Sequence, residues 1–337
     1  MKRILLIIGT TIVIVAGIRI AQFYTIKPIQ PVIIPPIIIE KEPEPITLSF
    51  VGDIMLARGV KNVVTKYFNG NYSDFLQTPA IEELATSDIL FANLEGPVSD
   101  RGRNVGSKYS FRFDPLVVPA LKSAGFDILS IANNHMGDWT KTAFEDTITH
   151  LRENGILFAG GGMTKQEAIQ PTIITLEETR IGFLGFTDVG PNWLAATNTS
   201  AGILLASDPE FETIITQAKE KVDILIVSVH GGEEYKPHTD QQERIYHGAI
   251  DAGATLVVGH HPHVSQDYEW YNSGFIAYSL GNFIFDQYFS VETMQGDALT
   301  VTVEDKRIKS IKVHTVYLNK KFQPERMELK KEEINQF

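Results

Sequence analysis

The chain has 337 residues, and its 43% hydrophobic and 21% charged residues are typical of a globular protein with one large α/β domain or two smaller ones. A formal net charge of -11, with no basic stripe interleaved with aromatic residues, makes nucleic acid an unexpected partner. The absence of cysteine excludes disulfides, thiolate metal sites and a cysteine nucleophile. An acidic protein that handles an anionic substrate needs local positive charge, and a bound metal would supply it.

The N-terminus has the composition of an export signal. Lys2 and Arg3 precede the apolar run Ile4–Ile18, which keeps the positive end inside the cell. We predict that residues 1–24 form a transmembrane helix, so that the protein is a single-pass protein of the cell membrane with its domain outside. The alternative is a signal segment cleaved after Val15-Ala16-Gly17, which would make the protein secreted.

The chain after this segment divides by composition. Residues 25–45 are rich in proline, which favours extended polyproline geometry and predicts a stiff linker. Residues 46–318 are predicted to form the folded domain, and the charged residues 319–337 a loosely held tail.

Short apolar runs alternate with helical patterns within residues 46–318, which predicts an α/β fold. Two runs that alternate with period two around Asp305-Lys306, Leu299–Val303 and Ile308–Val316, predict a closing antiparallel hairpin. The other predicted strands are Thr47–Val51, Ile89–Ala92, Ile128–Ile131, Leu157–Ala159, Ile181–Gly185, Ile224–Val229, Leu256–Val258 and Phe275–Ser279.

Most of these strands are followed by a side chain with an oxygen or nitrogen donor. Because ligands gather at the carboxyl ends of strands in open α/β sheets, the donors are predicted to meet in one site. Taken singly, each has a plain alternative: a turn aspartate, a helix cap, a buried core histidine or a surface carboxylate. The donors are Asp53, Asn93, Glu95, Asn133, Asn134, His135, Asp188, His230, His260, His261 and His263.

The donor set narrows the choice of metal. Carboxylate, amide and imidazole ligands without thiolate suit one or two divalent ions such as Mn²⁺, Fe²⁺ or Zn²⁺. His261 and His263 are two residues apart, so on an extended backbone both imidazoles would point to one side and reach the same metals. His260 would point the other way, so it would contact the ligands or the core rather than the metals.

Seven motifs in order make the chain similar to the CapA family of capsule and poly-γ-glutamate synthesis proteins, also called PgsA. The resemblance covers Leu48 to Gln287. The motifs are Phe50-Val-Gly-Asp-Ile-Met55, Asn93-Leu-Glu95, Ala132-Asn-Asn-His135, Gly185-Phe-Thr-Asp188, His230-Gly-Gly-Glu-Glu-Tyr235, Gly259-His-His-Pro-His263 and Tyr278-Ser-Leu-Gly-Asn-Phe283.

The family resembles calcineurin-like metallophosphoesterases, which implies a four-layer α/β/β/α sandwich with a two-metal centre. By motif, Asp53 resembles the first aspartate ligand, Glu95 takes the place of the bridging aspartate, and His135 resembles the general acid. The remaining ligands implied by the resemblance are Asn134, His230, His261 and His263. Met55 stands where phosphoesterases have a histidine ligand, so one imidazole is missing.

Three functions remain open at this point. The first is synthesis or export of an anionic polymer such as poly-γ-glutamate, together with other polymer synthesis and export proteins of the membrane. The second is metal-dependent hydrolysis of a phosphoester in the cell envelope. The third is a surface binding protein without chemistry. Further residues predicted to bind or surround substrate are Arg58, Glu234, Tyr235, Asn282 and Asp286.

Overall fold

The computed structural model describes residues 44–334, all of which lie in one unit, Pro43–Phe337. The predicted anchor and nearly all of the predicted linker fall outside the described residues. Within residues 44–334, none of the helices is both long and apolar enough to cross a bilayer.

The described chain is a mixed α/β fold with more than one sheet. Its helices are α1 (Arg58–Tyr67), α2 (Tyr72–Leu76), α3 (Pro79–Leu84), α4 (Val117–Ser123), α5 (Thr140–Glu153), α6 (Lys165–Ala168), α7 (Phe211–Lys219) and α8 (Asp240–Asp251). Its first strands are β1 (Ile46–Ile54), β2 (Ile89–Leu94), β3 (Ile128–Ser130), β4 (Leu157–Ala159), β5 (Gly161–Gly162), β6 (Thr172–Leu176), β7 (Thr179–Thr187) and β8 (Gly202–Ile203). The later strands are β9 (Ile224–His230), β10 (Leu256–His260), β11 (Tyr268–Tyr271), β12 (Gly274–Ala277), β13 (Asn282–Ile284), β14 (Gln295–Glu304), β15 (Arg307–Leu318) and β16 (Pro324–Ile334).

Two large sheets carry the fold. The first has the order β16-β15-β14-β1-β2-β3-β4, with β13 pairing beside the end of β1. The second has the order β11-β12-β10-β9-β7-β6, and β5 pairs with β8 in a small separate sheet. Strands β1 to β4 run parallel in the first sheet, as do β7, β9, β10 and β12 in the second, so each set of carboxyl ends shares an edge.

The buried side chains fall into three clusters. One cluster draws on both sheets, and in it Phe91 of β2 stacks on Phe183 of β7 with 5.9 Å between ring centroids. A second joins the first sheet to residues of α1–α5, and a third joins the second sheet to α7 and α8. Neighbouring residues of β1 alternate accordingly, since Phe50 lies in the first of these clusters and Val51 in the second.

The predicted strands are all present, most of them one to four residues longer than the apolar runs that indicated them. The predicted hairpin is confirmed as β14 and β15, with Asp305 and Lys306 in the turn at φ 49° and 60°. Both residues occupy the left-handed region that a tight two-residue hairpin turn requires.

The prediction of a loose tail over residues 319–337 is wrong for most of its length. Residues 324–334 form β16, an edge strand that pairs antiparallel with β15. Gln323 donates a hydrogen bond of 2.7 Å to the buried carbonyl of Phe75, and Met327 packs against the core. The charged side chains suit an edge strand, where one flank and one face remain in water.

Candidate metal centre

The end of β1 brings Asp53 between the two sheets. Pairing of β1 with β14 stops at Phe50, and β13 takes over with Asp53 opposite Asn282. At this crossing a Cβ on Gly52 would lie 1.9 Å from the carbonyl oxygen of Gly281. Only glycine fits so close a backbone contact, which explains the glycine directly before the aspartate.

Asp53 is fully buried and amply hydrogen-bonded. One oxygen accepts from Asn93 Nδ2 at 2.8 Å, and the other from the backbone N–H of His261 at 3.2 Å. His260 Nδ1 lies 3.3 Å and His263 Nδ1 3.5 Å from the carboxylate. Burial disfavours the charged form, but the adjacent imidazoles of His260 and His263 outweigh it and hold the pKa of Asp53 well below its ordinary value.

Glu95, one residue beyond β2, is equally buried but has the opposite environment. Neither carboxylate oxygen accepts a hydrogen bond from any residue that the structure describes. His263 Nε2 and His135 Nε2 stand 3.7 and 3.8 Å from Oε1, beyond hydrogen-bonding distance. Burial, and then the charge of Asp53, raise the pKa of Glu95 well above its ordinary value. A buried carboxylate without donors is costly, and a divalent cation in the space beside it would satisfy it.

His263 presents a defined ring nitrogen to Glu95. The Asn282 amide is oriented by its Nδ2 group, which donates to the carbonyl of Thr293 at 2.9 Å. Asn282 Oδ1 therefore faces His263 Nδ1 at 3.1 Å and accepts its proton. The unprotonated Nε2 is then left on the side of Glu95, as a metal ligand requires.

His230 and Asn134 meet from opposite sheets. His230 Nε2 lies 2.8 Å from Asn134 Oδ1, and Nδ1 lies 3.3 Å from Asn93 Nδ2. Asn133 points elsewhere, donating to Asn93 Oδ1 at 3.1 Å and to the carbonyl of Leu94 at 2.8 Å. Asn133 thus orients the Asn93 amide, which in turn donates to Asp53.

The imidazoles of His230 and His261 are kept neutral. Burial, and then repulsion from His261, lower the pKa of His230 well below its ordinary value. Burial, and then repulsion from His263, lower the pKa of His261 to about 4. A neutral imidazole is the form that binds a metal, so both side chains are ready at neutral pH.

The backbone of His261 and His263 differs from the prediction. Both residues were expected in an extended strand, but their φ angles are 100° and 58°, in the left-handed region that side chains rarely adopt. The two imidazoles nevertheless face one cluster, with ring centroids 6.0 Å apart. Strained backbone of this kind is typical of functional sites.

Among the described residues, two groups of side chains are close enough to hold a metal ion. In each group, one ligand atom from every member lies within 4.8 Å of the others. The first group is Asp53, Glu95 and His263, and the second is Glu234, His261 and His263. The donor set and the unsatisfied Glu95 oxygens both fit divalent cations at this position.

His135 is held in place by Asp138, which the sequence did not indicate. His135 Nδ1 lies 2.7 Å from Asp138 Oδ2, and Phe111 stacks on the imidazole at 3.9 Å between centroids. These contacts direct Nε2 toward Glu95, the position from which a proton could be given to a group at the metals.

A model of the bacterial capsule synthesis protein family PGA_cap matches residues 47–287. This chain belongs to that family. The finding confirms the membership predicted from the motifs between Leu48 and Gln287.

Two curated relatives share 34% identity with this PGA_cap chain. The capsule biosynthesis protein CapA of Bacillus anthracis aligns over 263 residues, 73% of this chain and 61% of that protein. The PGA biosynthesis protein CapA of Bacillus subtilis (strain 168) aligns over 246 residues, 72% of this chain and 64% of that protein. The chain thus spans less than two thirds of the length of these relatives. A solved structure of a novel phosphatase from Mycoplasma pneumoniae matches with a TM-score of 0.47 and 13% identity, over 81% of this chain and 94% of that one.

In the PGA_cap chain, the Arg58 guanidinium that was predicted to bind substrate already has a partner. It forms a two-pronged ion pair with Asp286, at 3.2 Å from Nε and 2.8 Å from Nη2. Asp286 also accepts from the backbone N–H of Gly59 at 2.8 Å. The guanidinium lies 5.2 Å from the Phe111 ring centroid, so the pair sits beside the ring that covers His135.

Glu234 and Tyr235 line the site on the side of His261 and His263. The Tyr235 ring lies 6.0 Å from that of His263, and its hydroxyl accepts from Gln287 Nε2 at 2.8 Å. Burial, and then the charge of Glu234, raise the pKa of Tyr235, and the phenol of Tyr109 adds a smaller contribution across the mouth of the site.

Two of the residues singled out in the sequence take other positions. The Asp188 carboxylate accepts from Gln241 Nε2 at 3.1 Å and belongs to neither candidate metal group. Met55 is fully buried in the core, where its sulfur accepts the backbone N–H of Ala57 at 3.2 Å. The position of the missing imidazole is thus taken by a packed thioether.

Proposed function

We propose that this PGA_cap chain acts in the synthesis or export of poly-γ-glutamate or another anionic capsular polymer, through a divalent-metal centre of the hydrolase type. The observation that carries the proposal is the buried Glu95 carboxylate, unsatisfied by its neighbours and flanked by Asp53, His135 and His263. The curated relatives, named for capsule and PGA biosynthesis, support the choice of process.

The site residues fall into metal ligands and a proton donor in this proposal. Asp53, Glu95 and His263 would hold one cation, and His261 with Glu234 would hold a second beside it, with Asn134 and His230 as further ligands. Cations held there would supply the means to activate a water and to stabilise charge on the group under attack. His135, oriented by Asp138, gives a proton to the leaving group, and Mn²⁺, Fe²⁺ and Zn²⁺ all suit the donors.

We infer a four-layer α/β/β/α sandwich of the calcineurin-like phosphoesterase type for the architecture. The separation of the core into three clusters, one between the sheets and one against each set of helices, supports this arrangement. Ligands from the carboxyl ends of both sheets then meet at a single edge.

We further propose that residues 1–24 tether the domain to the outside of the cell membrane. The basic pair Lys2 and Arg3 before the apolar run Ile4–Ile18 supports this topology. A protease added to intact cells is expected to degrade the domain, and its full protection would contradict the proposed orientation.

The decisive experiment is the metal content of residues 46–337, measured for the wild type and for His261→Ala/His263→Ala. About two ions per chain in the wild type, lost in the variant, are expected for a two-metal centre. No uptake by the wild type from Mn²⁺ or Zn²⁺ would contradict the proposed centre.

A second candidate function, polymer binding without chemistry, is favoured by Met55. A buried thioether in place of an imidazole leaves the first metal with one ligand fewer, and methionine is a poor ligand for hard divalent ions. The two functions are separated by a panel of phosphoesters offered to the metal-loaded protein. Turnover that is lost in the double histidine variant supports the hydrolase, and metal uptake without turnover supports the binding protein.

A further inference from the structure

Residues 101–112, here called the basic loop, lie directly beside the candidate metal centre. The basic loop contains two arginines near its start, a lysine and a final arginine, and it contains no acidic residue. This composition is unusual in a chain of net charge -11. The four cations are Arg101, Arg103, Lys108 and Arg112.

The basic loop is fixed to the same carboxylate that orients His135. Asp138 accepts from the hydroxyl of Ser107 at 2.7 Å and from the backbone N–H of Phe111 at 2.9 Å. The backbone N–H of Val105 donates to the carbonyl of Asp138 at 2.9 Å. The loop therefore has a defined position relative to the metal centre, although most of its side chains are exposed.

Two of the four cations serve the loop itself. Arg101 pairs with Asp146, with Nε 3.0 Å from the carboxylate. Arg112 lies over the Trp139 ring at 3.6 Å and donates to the backbone carbonyls of Asp100 and Arg101 at the start of the loop. Arg103 and Lys108, by contrast, have no acidic partner among residues 44–334, and both are exposed.

The two remaining cations belong to a loop that is anchored beside a centre rich in carboxylates. The centre itself is built from the carboxylates of Asp53, Glu95 and Glu234, and Arg58 on its rim is neutralised by Asp286. An anionic chain that extends beyond the metals would therefore meet repulsion unless other cations receive it. The exposed ring of Tyr109 adds an apolar surface beside Lys108, 4.9 Å from its ammonium group.

We propose that the basic loop binds the carboxylate-bearing units of an anionic polymer next to the unit at the metal centre. Arg103 and Lys108 supply the charge contacts, and Tyr109 packs against the methylene groups between carboxylates. This inference rests on the proposed function for the identity of the polymer, but it assigns polymer binding to residues that hold no metal.

The test compares polymer binding by the full-length chain and two charge-reversal variants. Arg103→Glu/Lys108→Glu removes the proposed contacts. The matched control, Lys221→Glu/Arg307→Glu, makes the same change at exposed residues near the opposite ends of the strands, just before β9 and at the β14–β15 turn. The probe is γ-linked polyglutamate, titrated at low and high salt, with neutral dextran as the uncharged polymer.

The loop variant is expected to bind polyglutamate roughly tenfold more weakly than the wild type at low salt, and the control to bind as the wild type does. The difference should shrink at high salt because screening weakens the contacts of exposed charges. Equal affinity in all three proteins, an equal loss in both variants, or no polyglutamate binding by the wild type would each overturn the inference.

Two further measurements separate this inference from its alternatives. Vesicles of anionic phospholipid are offered to the same proteins, and loss of vesicle binding with unchanged polymer binding would show that the loop faces a membrane, which overturns the inference. Metal content is measured in parallel. Loop-dependent polymer binding by a protein that takes up no metal would contradict the proposed metal centre and leave the inference standing.

Discussion

At the scale of single residues, the site contains two buried carboxylates in opposite environments. Asp53 receives donors from both sheets, whereas Glu95 receives none from the described chain. Asp53 is therefore stable as a carboxylate, and it holds the histidines around it in place. The charge of the Glu95 carboxylate, by contrast, would have to be balanced by a bound cation.

Replacing Glu95 by glutamine is therefore expected to abolish metal uptake while stabilising the metal-free protein. The raised pKa of Glu95 means that its contribution to stability is present at low pH and is lost as the pH rises above the unfolded value near 4.5. At pH 8 we expect the metal-free variant to exceed the wild type by about 1–3 kcal/mol in unfolding free energy.

Urea unfolding in the presence of a chelator, at pH 5 and pH 8, measures this difference. Glu325→Gln, at an exposed position, is the matched control and should behave as the wild type. A Glu95→Gln protein that is less stable than the wild type at pH 8 would contradict the unsatisfied carboxylate.

The contribution of His261 to the stability of the metal-free protein should have the opposite dependence on pH. Its pKa is lowered to about 4, so between pH 6.5 and pH 4 the unfolded chain binds a proton that the folded chain excludes. The metal-free protein should thus lose roughly 3 kcal/mol of stability over this interval from His261 alone.

The variant His261→Asn isolates this contribution, because asparagine tolerates the left-handed backbone found there. The stability of the variant, measured by chemical unfolding in chelator, should fall less steeply between pH 6.5 and pH 4. A surface substitution, His150→Asn, should leave the slope unchanged, and an identical slope in all three proteins would refute the assignment.

At the scale of elements, strand β16 extends the first sheet although seven of its eleven residues are charged. Its hydrogen bonds to β15 and the contacts of Gln323 and Met327 make it part of the domain. Apolar residues at alternate positions are few here because one face and one edge are in water, so periodicity gave no strand signal.

A chain that ends at Leu318 is consequently expected to lose more than about 3 kcal/mol of unfolding free energy, or to fail to accumulate in soluble form. A chain that ends at Ile334 retains β16 and serves as the control. Urea unfolding monitored by tryptophan fluorescence compares the two with the full domain. Unchanged stability of the protein that ends at Leu318 would show that β16 does not contribute to the fold, as the sequence-based prediction of a loose tail implied.

The buried parallel strands were predictable because continuous apolar runs indicate strands covered on both faces. The grouping of donors was predictable within each sheet, since parallel strands place their carboxyl ends at one edge: β1, β2 and β3 in the first sheet, β9 and β10 in the second. The left-handed backbone of His261 was not predictable, because no glycine or asparagine marks it. The role of Asp138 was not predictable, because two of its partners besides His135, Ser107 and Phe111, come from a distant loop.

At the scale of the whole molecule, a metal ion at the proposed centre would link metal binding to folding. The candidate ligands come from both sheets, so an ion that binds only the folded chain would add to the global stability. At a free metal concentration one hundred times the dissociation constant, the gain is about 2.7 kcal/mol.

Thermal unfolding of the domain with and without Mn²⁺ measures this linkage. The wild type should unfold at a higher temperature with metal, and His261→Ala/His263→Ala should show no shift. An equal shift in both proteins would place the bound ion elsewhere on the molecule.

The position of β1 between β2 and β14 has a consequence for how the chain is made. One edge of β1 pairs with β14, Gln295–Glu304, and the end that carries Asp53 pairs with Asn282 of β13. Both partners come late in the chain. A nascent chain emerging N-terminus first therefore cannot complete its first sheet until nearly all of it has been synthesised. Such delay would suit the export that we propose, because a chain has to be unfolded to pass a narrow translocation channel. Ribosome-arrested chains ending before Gln295 should remain sensitive to protease.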